Sequence, residues 1–450
     1  MKSLPKNKTI AIVGAGLVGS LLSIYLSKRG YRIFVFERRS DMRINQLEAG
    51  RSINLALSNR GIRALEEIGL ADVIKQTAVP MHGRVMHDRA GKLTFQPYGK
   101  QGQFINSVSR SGLNKALMTA AEKSGVEFSF ETRITSIDLA TTQLNIQNHQ
   151  TTTTNEPLKF DFIIGSDGAF SAVRSALQFT DRFDYAQDYI DHGYKELHIP
   201  AGEAGSFRLE KNALHIWPRE SFMMIALPNP DGSFTCTLFF PFDGEPSFNH
   251  LKTDEAVIEF LKTTFPDAWI LMPDALQDFN TNPTSSLVTV KCFPWLKNKT
   301  LLIGDAAHAI VPFFGQGMNA GFEDCRILNQ LLDQHADDWD SVLLEFQKLR
   351  KPDADAIAQL ALDNFIEMRD LVADVEFLLR KKIEAKLHEL FPDKWIPLYS
   401  MVTFHDHIRY SDAYAIGQKQ KKIMDSVMCK PGIEKNWQAL NFEEIVSAIM

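Results

Sequence analysis

Gly14-Ala15-Gly16-Leu17-Val18-Gly19 stands directly after a short apolar run at residues 8–13, and this junction constrains the chain more than any other stretch. An apolar run without alternation reads as a buried parallel strand, and the segment after the glycines reads as a helix to Arg29. A second apolar strand, Arg32 to Phe36, ends at Glu37, eighteen residues beyond Gly19. Each residue type answers a need. Gly14 permits a tight turn, Gly16 lets a pyrophosphate approach the backbone, and Gly19 lets helix and strand pack closely. Unpaired amides at the helix start then face the phosphates, and Glu37 is placed to accept from a ribose diol. A glycine-rich turn without a ligand is the competing reading; the strand before, the helix after and the acid at this distance argue against it. The motif leaves FAD and NAD both open.

Thr9 to Ser27 carries no charge over nineteen residues, long enough to span a bilayer. Its three glycines, β-branched first half and Leu-rich second half suit a buried strand turning into a buried helix better. A soluble, cytoplasmic protein is therefore expected. The 450 residues suffice for two or three domains, and 44% hydrophobic with 23% charged residues is ordinary for a soluble globular chain. A net charge of −6 gives no support to a nucleic-acid partner, which would want a basic face. Cys236, Cys292, Cys325 and Cys429 are scattered, with neither CxxC nor metal-ligand spacing, so reduced thiols and no metal centre are expected.

Phe160 to Gly165 reads as another apolar strand and runs into Ser166-Asp167-Gly168, with Arg174 following. Thr300 to Ile303 opens onto Gly304-Asp305-Ala306-Ala307-His308. Beyond it, Val311-Pro312-Phe313-Phe314-Gly315-Gln316-Gly317-Met318-Asn319-Ala320-Gly321 is a glycine-rich loop that should start a helix near Met318. GxGxxG, then DG with a following Arg, then GDAAH leading into PxxGxGxN: in this order the three motifs resemble the single-component (group A) FAD-dependent aromatic hydroxylases. The resemblance implies tightly but non-covalently bound FAD, with Asp305 at the ribityl chain and Asp167 and Gly168 serving both FAD and NADPH. It also implies that Arg110, in Ser109-Arg110-Ser111-Gly112, contacts the FAD. NADPH would be a transient co-substrate at the surface of the FAD domain, which accords with there being no second GxGxxG unit. The residues themselves add a physical reason. A helix N-terminus at Met318–Asn319, just after Gly317, would put positive potential beside the flavin's pyrimidine end and stabilise the anionic reduced form. Asp305 also suits a helix N-cap, a compatible role, and His308 reads as a packed structural residue.

Further stretches narrow the resemblance: RSINLALSNRG at 51–61, GYKEL at 193–197, HIWPR at 215–219, FMMIALP at 222–228 and LYSMVTF at 398–404. These are similar to the branch of the family that hydroxylates L-kynurenine at ring C3 with NADPH and O2. The family's carboxylate-binding Arg and Tyr map onto Arg84 and Tyr98. These bracket a stretch, His82 to Gly99, that looks like a β-hairpin turning at Arg89-Ala90-Gly91. A planar guanidinium meets a carboxylate bidentately; a surface Arg on a hairpin is the blander reading of the residue alone. Pro352 should open a helical stretch ending before Pro392, with Leu360, Asn364, Met368 and Leu371 along one face. An Asn among apolar neighbours needs a hydrogen-bond partner, either backbone or, as the resemblance implies, the amino-acid head. Tyr399 would complete that end, Pro312 and Phe313 would line the ring slot, and Phe240 is a weaker candidate from the sheet. No general acid or base is named. The family's electrophile is a flavin C4a-hydroperoxide, the substrate's ring amine activates the carbon attacked, and the loop with Pro312, Phe313, Gly315 and Gly317 positions ring and flavin. Wasteful peroxide release is the expected consequence of poor positioning.

The expected fold class is α/β. A Rossmann-like FAD-binding domain is assembled from 1–80, 105–180 and 290–345. A mostly antiparallel substrate-domain sheet comes from 81–104 and 181–289, and a helical C-terminal region from 346–450. The sheet's strands should include Ala213–Trp217, Ser221–Leu227 and Phe234–Phe240. Thr151–Thr154 reads as an exposed hairpin tip, Asn441 with Glu444 as a capping box, and Lys419, Lys421 and Lys422 as a solvated helix face. Eukaryotic relatives carry a C-terminal membrane anchor; no such segment ends this sequence, so no membrane anchor is expected. The oligomeric state stays open, a homodimer among the options.

Overall fold

A computed structural model of the chain describes residues 8–44, 54–100, 102–148, 156–368 and 374–449. The chain divides into two units, one made of 1–79, 106–190 and 286–358, the other of 80–105, 191–285 and 359–450.

The first unit is built on a six-stranded sheet in the order Leu296–Lys297, Thr300–Leu302, Phe162–Gly165, Thr9–Val13, Arg32–Phe36, Glu127–Ser129. All its pairings are parallel except the short hairpin of the first two strands. Parallel strands are buried on both faces, which is why Ile10–Val13 and Phe162–Gly165 are continuous apolar runs. The charge-free stretch is the Thr9–Val13 strand and the buried helix Leu17–Lys28. Among the described residues no helix is long and apolar enough to cross a membrane. Asn54–Leu57 pairs antiparallel with Ser109 back to Asn106, beside the helix Arg110–Lys123.

In the second unit six strands lie side by side in the order Asp184–Ile199 (from residue 191 on), Phe234–Pro241, Phe222–Pro228, Ala213–Arg219, Gly83–His87, Leu93–Pro97. Only the Ala213–Arg219/Gly83–His87 pair is parallel. One face buries Leu197, Trp217, Phe222, Met224, Phe234, Leu238 and Phe240 against the helices Asp254–Thr264, Pro266–Trp269 and Ala275–Thr281. The helices Val375–Leu390, Tyr410–Met428 and Phe442–Ser447 enclose a smaller core around Ile383, Trp395, Met424 and Ile445. Asn441 caps the last of these by accepting from the Glu444 amide at 3.2 Å.

Three sequence expectations need correction. Ala213–Arg219 runs two residues further than expected, and the turn falls at Glu220, whose φ is +62°. Pro218 is tolerated because the parallel ladder on that side ends at Ile216, so its missing N–H breaks no pairing there. Pro352 does not open a helix but lies inside one that runs from Trp339 to Ile366. An interior proline costs about 3 kcal/mol; the buried ion pairs of Arg350 and Asp353 and the packing of Trp339, Val342, Leu343, Phe346 and Ala354 into the first core offset it. The same packing assigns this helix to the first unit up to residue 358, so the C-terminal region does not begin at 346. The expected hairpin tip at Thr151–Thr154, the start of RSINLALSNRG and Leu371 lie outside the described residues.

Candidate active site

Three glycines of the first loop serve three different constraints. Gly14 has φ +103°, and a Cβ there would lie 2.7 Å from the Ser166 carbonyl oxygen. A Cβ on Gly19 would lie 2.0 Å from the Gly14 carbonyl oxygen, where helix and strand meet. A Cβ on Gly16 would meet nothing within 4 Å. That open volume stands at the start of Leu17–Lys28, which has no side-chain cap, so its first amides are unpaired within the helix. The Ala15 peptide beside it is held on both sides. Its N–H donates to Glu37 Oε2 at 2.9 Å, and its carbonyl accepts from Asn114 Nδ2 at 3.0 Å. Glu37 Oε1 also accepts from the Arg39 amide at 3.0 Å. Asn114 was not singled out from sequence. It stands one turn after the exposed Arg110, and its buried Oδ1 has no hydrogen-bond partner. An orphan acceptor, an open volume and unpaired helix amides together fit the diphosphate and ribose of FAD.

Asp167 folds back on its own loop. It accepts from Ser171 Oγ at 2.5 Å and the Ala172 amide at 2.6 Å, and burial pushes its carboxyl above the ordinary range. Gly168, with φ +84°, makes the turn. Arg174 donates to the Ala306 carbonyl at 2.9 Å and to the Ala169 carbonyl at 2.5 Å, so one side chain staples the Asp167–Gly168 loop to the Gly304–Asp305 turn. In that turn the cap position belongs to Gly304 (φ +59°), not to Asp305 as the sequence suggested. Asp305 is the first helical residue and is exposed, which leaves its carboxylate available to a ligand.

Pro312–Phe314 form a single 3-10 turn, with Pro312 exposed and Phe313 buried. Gly315 (φ +68°) ends it, and the next helix is Gly317–Gln334. The Asn319 side chain is fully used within the unit. Its Oδ1 accepts from the Ser58 amide at 3.0 Å, and its Nδ2 donates to the carbonyls of Ala56 at 2.8 Å and Gly315 at 2.9 Å. What Gly317, Met318 and Asn319 offer a flavin is their first-turn backbone N–H groups.

In the second unit Arg84 lies on the Gly83–His87 arm of the hairpin, which turns through Gly91, and Tyr98 directly follows the Leu93–Pro97 arm. Tyr399 comes from the helix Leu398–Phe404. The Tyr98 and Tyr399 rings stack at 5.4 Å and 12°. The Arg84 guanidinium carbon lies 5.3 Å from the first ring centroid and 4.9 Å from the second. Burial works against the Arg84 charge, but Tyr399, Tyr98 and Glu367 hold the guanidinium above its usual value. Burial pushes both phenols up. Arg84 Nε and the Tyr98 hydroxyl are both buried without a hydrogen bond of ordinary geometry. Asn364, also buried, points its Nδ2 at Met368 Sδ, 3.2 Å away.

Phe240 does not join this group. Strand alternation puts it with Phe222, Phe248 and Phe260 in the core on the opposite face of the sheet, at centroid distances of 4.9, 5.1 and 4.8 Å. The face shared with Arg84 carries Met86, Ile216, Met223 and Phe239 through the registers Met86↔Ile216 and Met223↔Phe239. Phe365 packs on His192 of that face at 5.1 Å. Period two within Phe234–Phe240 separates Phe234, Cys236, Leu238 and Phe240 from Thr235, Thr237 and Phe239, but only the register shows which of these faces lies with Arg84.

The FAD binding domain family matches residues 7–361, which span the parallel sheet and the glycine loop, and this match gives the class: a flavoprotein of the FAD-dependent hydroxylase type. Kynurenine 3-monooxygenase of Christiangramia forsetii is 50% identical over 99% of this chain and 100% of its own. The Sus scrofa enzyme of the same name is 46% identical over 93% of this chain and 88% of its own. The chain belongs to the kynurenine 3-monooxygenase family. Among solved structures, 2-methyl-3-hydroxypyridine-5-carboxylic acid oxygenase shares the fold, with a TM-score of 0.68 and 21% identity over 83% of this chain and 96% of its own. Pseudomonas aeruginosa PqsL does so with a TM-score of 0.65 and 19% identity over 81% of this chain and 97% of its own.

Proposed function

We infer that this protein is an FAD-dependent monooxygenase that hydroxylates L-kynurenine at ring C3, consuming NADPH and O2 and yielding 3-hydroxykynurenine, water and NADP. Near 50% identity over the whole chain to enzymes of that name supports the activity. The observation that carries the site is the pair of buried, unpartnered polar atoms at Arg84 and Tyr98. A buried guanidinium with an unused Nε–H costs free energy unless an anion meets it. The α-carboxylate of an amino acid has the charge and the two acceptors to do so, with the Tyr98 hydroxyl as a second donor. Asn364, buried with its Nδ2 3.2 Å from Met368 Sδ, and Tyr399, stacked on Tyr98, are read as the remaining partners of the amino-acid head.

FAD, when bound, supplies hydride uptake from NADPH and the activation of O2. Gly14, Gly16, Gly19, Glu37 and Arg110 are read as holding its diphosphate and ribose. Asp305, with the amides of Gly317, Met318 and Asn319, is read as holding the ribityl and ring end, and Asp167 and Gly168 as shaping the NADPH approach. The substrate's own aniline nitrogen activates the carbon attacked, so no side chain is assigned as general acid or base. The chain's work is to bind, orient and exclude water. Four free cysteines, three of them buried, suit a reducing, cytoplasmic location.

NADPH oxidation by the FAD-loaded protein, with and without L-kynurenine, tests the reading when the product is weighed by mass spectrometry. Stimulation with a product one oxygen heavier is expected; no stimulation would sink it. Arg84→Ala should raise the KM for L-kynurenine on the order of a hundredfold, the cost of leaving a carboxylate unpaired in a buried site. An unchanged KM would remove Arg84 from the substrate site.

A further inference from the structure

The Gly317–Gln334 helix buries the polar side chains of Glu323 and Asp324 in its second turn. Asp324 is fully buried, and among the described residues its bonds run to the Gly304–His308 turn and to Arg350 on the helix Trp339–Ile366. Its Oδ2 accepts from the Gly304 amide at 3.2 Å and meets His308 Nε2 at 2.6 Å. Its Oδ1 accepts from Arg350 Nε at 2.7 Å. Burial alone would push this carboxyl up, yet His308 and Arg350 beside it hold it below the ordinary range. An ionised carboxylate only accepts, so the His308 proton sits on Nε2.

Gly304 and His308 are the two ends of the short turn whose exposed first residue is Asp305. One carboxylate therefore grips that turn at both ends. The grip is itself anchored. Arg350 Nη1 donates to Glu323 at 2.8 Å and Asp353 at 3.0 Å, while Glu323 accepts from Arg60 at 2.6 Å on the helix Asn59–Ile68. The guanidinium groups of Arg60, Arg326 and Arg350 face the carboxylates of Glu323, Asp324 and Asp353, so the bonds of Asp324 belong to a wider buried ionic network. Gly304, at φ +59°, has a freedom of rotation that such a clamp removes.

We propose that Asp324, acting with His308, is a positioning residue for the cofactor: it holds both ends of the Gly304–His308 turn and so aims the Asp305 carboxylate at the ribityl chain of FAD. This rests on the reading of Asp305 as a flavin contact. Asp324 touches no substrate and no cofactor itself.

The test is FAD release from the holoenzyme, followed by recovery of flavin fluorescence on dilution, together with the flavin's visible spectrum and midpoint potential. Asp324→Asn should raise the FAD dissociation constant about tenfold or more, since an amide cannot accept all three bonds. Asp305→Ala should do the same, and the double variant should be no worse than the poorer single one, because both act on one contact. Asp353→Asn, at the far end of Arg350, should lower Tm but leave the spectrum and potential unmoved. His308→Leu should reproduce the Asp324→Asn shift and His308→Gln, which keeps a donor, should restore it; this pair carries the test where Asp324→Asn does not fold. Wild-type FAD retention in folded Asp324→Asn or His308→Leu overturns the proposal, as does a double variant whose losses add. Wild-type retention in Asp305→Ala instead removes the Asp305 reading, and an Asp324→Asn loss beside it shows that Asp324 acts by another route.

Discussion

Gly16 and Gly19 look equivalent in the motif and are not equivalent in space. A Cβ at Gly19 runs into the Gly14 carbonyl, whereas one at Gly16 enters open volume at a backbone conformation, φ −72°, that any residue adopts. Gly16→Ala should therefore fold with an unchanged Tm as apoprotein yet bind FAD at least tenfold more weakly, because the added methyl occupies the diphosphate's path. Gly19→Ala should lower Tm as well. Calorimetry of the two apoproteins beside FAD titrations separates them, and wild-type affinity in Gly16→Ala would refute the phosphate role. The same scale shows what a motif hides. Asn319 belongs to the flavin loop by pattern, but its side chain is consumed in bonds to Ala56, Ser58 and Gly315. Asn114, which no motif marks, braces Ala15.

Between neighbouring residues of one strand, period two decides the role. Phe239 and Phe240 are chemically identical in sequence, and both are buried. Phe240 belongs to the aromatic core with Phe222 and Phe260, while Phe239 faces the side that carries Arg84 and Met86. Phe240→Leu should lower stability by about 1–2 kcal/mol and leave the KM for L-kynurenine alone. Phe239→Leu should instead raise the share of NADPH consumed as hydrogen peroxide. Urea unfolding and a peroxide-to-product ratio measured on both variants check this; the reverse pattern would reassign the faces. For helices the sequence pattern erred at Pro352, because proline is a reliable boundary only where tertiary packing does not compensate for it. Here buried ion pairs and the apolar face of Trp339, Val342, Leu343 and Phe346 carry the helix through.

On the scale of the whole molecule, each unit has its own core, and the second contains a buried polar chain. Asp267 meets His87 Nδ1 at 2.7 Å, His87 Nε2 meets His215 Nδ1 at 2.9 Å, and His215 Nε2 meets the Glu210 carbonyl at 2.8 Å. Burial, joined by the neighbouring His87, depresses the His215 imidazole from 6.5 to about 4. A histidine held neutral in the fold binds fewer protons than in the unfolded chain. Its contribution is thus complete above pH 6.5 and is lost as pH falls from 6.5 toward 4, by about 3 kcal/mol at most. Denaturant unfolding across pH 7 to 4 should show this slope and His215→Phe should flatten it; an equal slope in both would deny His215 the role. What the sequence determined by itself was local: the glycine spacing, the apolar strands, the hairpin at Gly91 and the cap at Asn441, all set by backbone sterics and hydrogen bonds within a few residues. Full-length similarity then fixed the chemistry. The tertiary structure alone decided which side of a strand faces Arg84, that Tyr98 and Tyr399 stack beneath it, and that Asp324 clamps the Gly304 turn. Those depend on sheet register and on the burial of charges far apart in the chain, where a shift of one residue reverses every side chain.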